Sequence, residues 1–267
     1  MSLVLLDRQV RPHVSVITLN KPERLNSMSF PLVEALYEAL DEVGRDNDTW
    51  VVVMTGAGRA FCSGLDLHDR GIPPNTQDLG FSRLAMRSMS YMSDVVPAMR
   101  RIPQPVIAAI NGPAYGGGMC LTLGSDIRYA APEAVFRAVF LNVGVSNCDM
   151  GTSWLLPRLI GASRAHELML TGRRVRADEA ERIGLVAEVV DADSLVDRAI
   201  EAGEQIAAWT PWGIRLTKQG MWSALEIPSE RAAIEYEDRQ QIMATHGVAP
   251  PEAIAAFLEK RPAAFPD

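Results

Sequence analysis

Two glycine-bearing loops carry the clearest chemistry in this sequence. Asn111-Gly112-Pro113-Ala114-Tyr115-Gly116-Gly117-Gly118-Met119-Cys120 follows the apolar run Pro105–Ile110 and opens a helix directed towards Leu123. Three consecutive glycines let the backbone approach a ligand closely, and the first turn of a helix leaves N–H groups unpaired. With the helix dipole behind them, such donors suit a carbonyl oxygen that gains negative charge during a reaction. A phosphate-binding loop would continue into a Lys-Ser/Thr pair; none follows here, so that reading is excluded. Glycines that serve packing alone remain an alternative.

The second loop, Gly56-Ala57-Gly58-Arg59-Ala60-Phe61-Cys62-Ser63-Gly64-Leu65-Asp66-Leu67, leaves the buried strand expected over Trp50–Thr55. Two strand–glycine–helix junctions in one domain can bring the N–H groups of Leu65 and Gly117 around a single oxygen, the layout of an oxyanion hole.

The elements that must hold these loops alternate strand with helix, the pattern of an α/β fold. Leu3–Leu6 and His13–Leu19 predict a leading hairpin turning near Arg11-Pro12. Ser29 is positioned to cap a helix with Pro31 in its first turn and Leu32, Leu36 and Leu40 on one face. The Gly-, Pro- and Asn-rich stretch 70–80 reads as a mobile loop. Phe81–Arg101 follows as a helix disturbed near Pro97, carrying Met86, Met89, Met92 and Met99. Those methionines suit either an adaptable acyl pocket or ordinary core filling. Past Ala207 the pattern turns wholly helical, with helices opened at Pro211 and Pro228 and a last one after Pro250-Pro251.

The chain has 267 residues, is 48% hydrophobic and carries a formal net charge of −7. That length sustains one large core with a helical appendage. The acidic balance argues against nucleic acid or an anionic membrane surface as a partner. No basic segment precedes the first apolar stretch, and no apolar run approaches the roughly 18 residues of a membrane span. Cys62, Cys120 and Cys148 lack the spacing of a disulfide framework. A soluble, cytoplasmic chain is the expectation.

The two loops, together with Ile17-Thr18-Leu19-Asn20-Lys21-Pro22-Glu23-Arg24-Leu25-Asn26-Ser27-Met28, resemble the crotonase superfamily, the enoyl-CoA hydratase/isomerase proteins. The resemblance continues through Ser125-Asp126-Ile127-Arg128, Leu156-Pro157-Arg158-Leu159-Ile160-Gly161, Ala180–Val186 and the tail Phe257-Leu258-Glu259-Lys260-Arg261, and so covers almost the whole chain. It implies a spiral of ββα repeats over residues 1–206 and a C-terminal all-helical region over 207–267 that joins subunits into trimers or dimers of trimers. It also implies an acyl-CoA thioester as substrate, with its carbonyl between the amides of Leu65 and Gly117. No metal and no cofactor is implied beyond the coenzyme A of the substrate itself. Arg24 and the stretch Ser63, Gly64, Asp66 and Leu67 match the region that holds the CoA nucleotide and pantetheine, and Tyr115, Gly116, Cys120 and Phe140 are expected among the substrate-binding residues. Lys260 matches a tail lysine that contacts CoA phosphates. A solvated surface charge is the alternative for Arg24 and Lys260.

The resemblance breaks at the acids. Hydratases of this family add water with two glutamates, whose positions here hold Cys120 and Phe140; neither can act as a carboxylate. Asp149 falls where dienoyl-CoA isomerases of the family carry an aspartate, and a lone carboxylate beside an enolate can move a proton from one carbon to another. The expectation is therefore double-bond isomerisation of an unsaturated acyl-CoA with a partly desolvated Asp149 as acid and base. A hydratase-type reaction, hydrolysis through an Asp149 ester, or an acyl-CoA binder without turnover are the alternatives. Asp149 also suits the N-cap of a helix expected over Met150–Leu156. Cys120 reads either as a thiol activated at a helix N-terminus or as a buried filler.

Overall fold

The computed structural model describes residues 2–246 and 249–265. Its first half runs β1 (Val4–Arg11), β2 (Val14–Leu19), α1 (Phe30–Arg45), β3 (Val51–Gly56), α2 (Phe81–Ser93), α3 (Val95–Arg101), β4 (Val106–Ile110), β5 (Ala114–Tyr115), α4 (Gly117–Gly124), β6 (Ile127–Ala130) and β7 (Val135–Arg137). There follow α5 (Thr152–Ile160), α6 (Ala162–Thr171), β8 (Val175–Arg176), α7 (Ala177–Arg182), β9 (Glu188–Val189), α8 (Leu195–Ala207), α9 (Pro211–Ala224), α10 (Glu230–Thr245) and α11 (Ala249–Glu259). Among the described residues no helix is long and apolar enough to cross a membrane.

The architecture is mixed α/β. β3 and β4 are buried along their whole length. Such continuous Val/Ile/Ala runs, without polar alternation, form strands covered on both faces. They sit at the centre of a six-stranded sheet ordered β1-β2-β3-β4-β6-β9, parallel throughout except for the leading β1–β2 hairpin. β1 runs to Arg11, beyond the expected Leu6, through a register irregularity between Asp7 and Arg11. One face of the sheet packs under α8, whose Leu195, Ala199 and Ala202 meet Val14, Val51 and Ile107. The other face meets α1, α3 and α4. A second sheet, β5-β7-β8, stands beside it.

Each helix start follows from its residues. The Ser29 hydroxyl accepts the Leu32 N–H at 3.4 Å and caps α1. Its Leu32, Leu36 and Leu40 are almost wholly buried, as their spacing predicts. The expected helix over Phe81–Arg101 breaks at Asp94, three residues before Pro97, which sits in the first turn of α3. There the missing proline N–H leaves no helical bond unmade. Likewise Pro250 and Pro251 lie within the first turn of α11, not ahead of it. α4 is buried on every side; a Cβ on Gly118 would stand 2.0 Å from the Cys62 carbonyl oxygen, so that helix enters the core only with glycine there. The second glycine loop departs from expectation: residues 57–80 contain no helix, and the chain stays irregular until α2.

α9 is tied firmly to the sheet. Lys218, 2% exposed, donates to the carbonyls of Met99 at 3.0 Å and Gln104 at 2.7 Å and pairs with Asp126 at 3.3 Å. Burial pushes the ammonium pKa down, and Asp126 opposes that. Trp222 Nε1 donates to the same aspartate. Beyond α9, α10 buries no residue, and α11 exposes Ile254, Phe257 and Leu258.

Candidate active site

A cavity of about 770 Å³ opens between the Ser63–Leu67 loop, Gly116–Gly117, α2 and the segment 139–150. Leu65 and Gly117, whose amides the glycine loops single out, both line it. Leu65 is held by an isolated parallel bridge to Met28: the Met28 N–H donates to the Gly64 carbonyl at 2.7 Å, and the Asp66 N–H donates to the Met28 carbonyl at 2.9 Å. The bridge thus uses the groups flanking Leu65 and spares its own N–H. Gly117 begins α4, where an amide has no partner within the helix. Among the described residues neither amide donates to a protein acceptor. Close approach of the loops requires glycine. Gly64 has φ +87°, and a Cβ there would lie 2.7 Å from the Tyr115 carbonyl oxygen and 3.4 Å from the Gly117 nitrogen. The left-handed Gly116, φ +51°, turns the chain into the helix beneath Val139 and Phe140. The thioethers of Met28 and Met150 lie against Gly117.

Asp149 brings the one acidic side chain of the described lining. It is half-buried; its Oδ1 accepts the Met150 N–H at 2.8 Å, and its Oδ2 has no hydrogen-bond partner among the described residues. The capping expectation is overturned. α5 starts at Thr152, not Met150, because Met150 (φ +47°) and Gly151 (φ +85°) are both left-handed, and Gly151 is the N-cap with no side-chain cap bond.

Several residues expected to touch ligand stand elsewhere. Asp66 is 2% exposed and faces inward, accepting from Lys21 Nζ and Arg24 at 3.0 Å, from the Ser27 hydroxyl at 2.9 Å and from the amides of His68 and Asp69. It organises the loop rather than meeting a substrate, and it engages the Arg24 guanidinium in doing so. Burial alone would push its carboxyl up; the Asp69 amide, Lys21, Arg24 and Ser27 outweigh burial and hold it well below the usual carboxylate range. Its ionised form therefore stabilises the fold fully above about pH 4, and that contribution is lost as pH falls through the lowered folded value. Wild-type unfolding free energy should drop below about pH 4 in a urea titration series. Asp66→Asn should be less stable at pH 7 by about 2 kcal/mol and show a shallower acid slope.

Cys120 is 1% exposed and lies behind the cavity wall, its Sγ 3.1 Å from the Thr152 hydroxyl. Burial pushes the thiol up to about 12, the opposite direction from an activated thiolate. Tyr115 is half-buried outside the lining, and Gly64 acts beneath it. Lys260 is exposed just past α11 and is not among the residues that line the cavity. Ser63, Leu67, Gly116 and Phe140 do line the cavity. Of the methionines, Met89 and Met92 line it, whereas Met86 is 70% exposed and Met99 is buried in the core. Met28, Val139, Val143, Val145 and Met150 complete an apolar wall that the sequence did not single out.

Comparisons with known proteins identify the family. The sequence model of the enoyl-CoA hydratase/isomerase family matches residues 10–267. A Mycobacterium bovis protein named "Probable enoyl-CoA hydratase echA12" is 47% identical over 267 residues, all of this chain and 93% of its own length. A solved structure from Mycobacterium abscessus, titled as a probable enoyl-CoA hydratase/isomerase, superposes with a TM-score of 0.94 at 45% identity, covering 99% of this chain and 98% of that one. A second, described as a monofunctional enoyl CoA isomerase from M. smegmatis, gives a TM-score of 0.75 at 44% identity over 88% of this chain and 99% of that one. The chain belongs to the enoyl-CoA hydratase/isomerase family of the crotonase superfamily.

Proposed function

We propose that this acyl-CoA enzyme moves a carbon–carbon double bond along an unsaturated acyl-CoA, with Asp149 carrying the proton. The observation that supports this most is the pairing, in one cavity, of two free amides with a single carboxylate. The thioester carbonyl accepts hydrogen bonds from the Leu65 and Gly117 N–H groups, which stabilise the enolate oxygen by roughly 3 kcal/mol each. Asp149 Oδ2 removes a proton from the carbon at one end of the allylic system. The electron pair spreads into a dienolate, and the resulting carboxylic acid returns the same proton at the other end. The net change is a shifted double bond, with no water consumed.

Addition of water asks for a second group to exchange protons with that water. At the two positions where hydratase glutamates would stand, the Cys120 thiol is buried and turned to Thr152, and Phe140 is apolar. The kinship with a described enoyl CoA isomerase points the same way. The coenzyme A portion leaves the cavity past Ser63 and Leu67. Exposed Ile242, Met243, Ile254, Phe257 and Leu258 on α10 and α11 suit a subunit interface, which would carry Lys260 to the CoA phosphates of a neighbouring subunit.

The reading is tested with a panel of 2-enoyl-, 3-enoyl- and dienoyl-CoA thioesters, separating shifted from hydrated products by chromatography. Interconversion of positional isomers without 3-hydroxyacyl product supports it. Dominant hydration replaces it with a hydratase, and tight binding without turnover of any ester replaces it with a binder.

A further inference from the structure

Asp149 sits on an unusual stretch of backbone. Met150 and Gly151 adopt consecutive left-handed conformations at φ +47° and +85°. A methionine is held that way only where the surroundings determine it. Those surroundings are visible in the hydrogen bonds on the Asp149 carbonyl. The Thr152 N–H donates to it at 2.9 Å, and the Cys120 thiol donates to it at 3.8 Å. The Thr152 hydroxyl and Cys120 Sγ lie 3.1 Å apart, so a hydroxyl proton given to sulfur leaves the S–H for the carbonyl. Both side chains are 1% exposed, out of reach of competing water. Cys120 in turn lies one helical turn beyond Gly117, and its N–H donates to the Gly116 carbonyl at 3.0 Å. The same turn of α4 therefore presents one amide of the carbonyl site and, through its thiol, grips the backbone of the acid.

We propose that Cys120 and Thr152 form a positioning pair: by fixing the Asp149 carbonyl they set the turn that aims Asp149 Oδ2 at the carbon next to the bound thioester. Cys120 touches neither substrate nor proton. The inference rests on Asp149 being the acid and base of the reaction proposed above.

The test is a mutant cycle on the full-length protein with the enoyl-CoA ester that it turns over. Thr152→Val, nearly isosteric, and Cys120→Ala should each lower kcat roughly 10-fold with KM within about two-fold, as expected when a reacting group is misaligned. Cys120→Ser, which keeps a donor and an acceptor, should recover most of the rate. In an Asp149→Asn background Cys120→Ala should change the residual rate less than two-fold, because its effect passes through the carboxylate. Wild-type kcat in both Thr152→Val and Cys120→Ala overturns the proposal. So does a Cys120→Ala loss of equal size with and without the carboxylate, which would mark a packing defect. If Asp149→Asn is slow while Cys120→Ala is not, only this inference fails. If Asp149→Asn itself is as fast as wild type, the acid assignment fails and the positioning pair falls with it.

Discussion

Replacing Asp149 with asparagine is expected to lower kcat at least ~100-fold while leaving affinity for the CoA ester unchanged. The substitution keeps size and shape, and an asparagine oxygen can still accept the Met150 N–H that now binds Oδ1. The turn should therefore survive. What disappears is proton transfer through Oδ2, and no other acid in the described lining can replace it. Because the carbonyl donors at Leu65 and Gly117 are untouched, binding measured by calorimetry should match wild type. A variant that loses rate and affinity together would point instead to collapse of the loop around Met150. A variant with unaltered rate would remove Asp149 from the chemistry.

The second large effect is expected from a residue that touches no substrate. Gly64→Ala should reduce kcat by roughly 100-fold or more, the loss associated with one misplaced oxyanion donor. At φ +87° an alanine is strained by about 1–2 kcal/mol, and its methyl would meet the Tyr115 carbonyl at 2.7 Å. That oxygen belongs to the backbone of β5, which is paired with β7, and cannot swing aside. The strain is relieved by moving the loop, and the Leu65 amide moves with it. Gly161→Ala supplies the comparison: φ there is +83°, but a Cβ has open space. It should lose a similar amount of stability in thermal melts with kcat intact. Equal rates in the two variants would separate the Leu65 amide from catalysis.

The strand ends and turns of both loops were legible in the sequence because those rules are local, while the helix expected after the second loop did not form. Apolar runs followed by glycines mark buried strands ending in tight turns, and a triple glycine ahead of an apolar helix marks exposed amides. Other features depend on what lies across the fold. Asp66 shares a loop with Ser63 and Leu67 and invites the same role, yet an extended segment alternates its faces. With Leu65 and Leu67 outward, Asp66 must point inward, and Lys21 and Arg24 are there to receive it. That alternation was readable in principle. The left-handed Met150 was not, since no propensity places methionine at positive φ, and the bonds around it include one from Cys120 on a distant helix to the Asp149 carbonyl. The break at Asp94 lies three residues ahead of the proline that announces it, because proline is tolerated in a first turn. Lys218 gives no sign of burial in its own segment; its acceptors are the carbonyls of Met99 on α3 and of Gln104 and the Asp126 carboxylate.

The Leu65 and Gly117 amides have a consequence for how this scaffold can change. A main-chain N–H is present whatever codon occupies the position, proline excepted. Under the proposed reaction, the ability to seize a thioester carbonyl is stored in the path of the chain, while the choice of reaction rests on a few side chains, above all the single carboxylate at 149. Point mutation can reach the second without erasing the first. A laboratory lineage begun here could be screened for new acyl-CoA chemistries by randomising only the residues that face the bound acyl group, with every member inheriting the same activated electrophile.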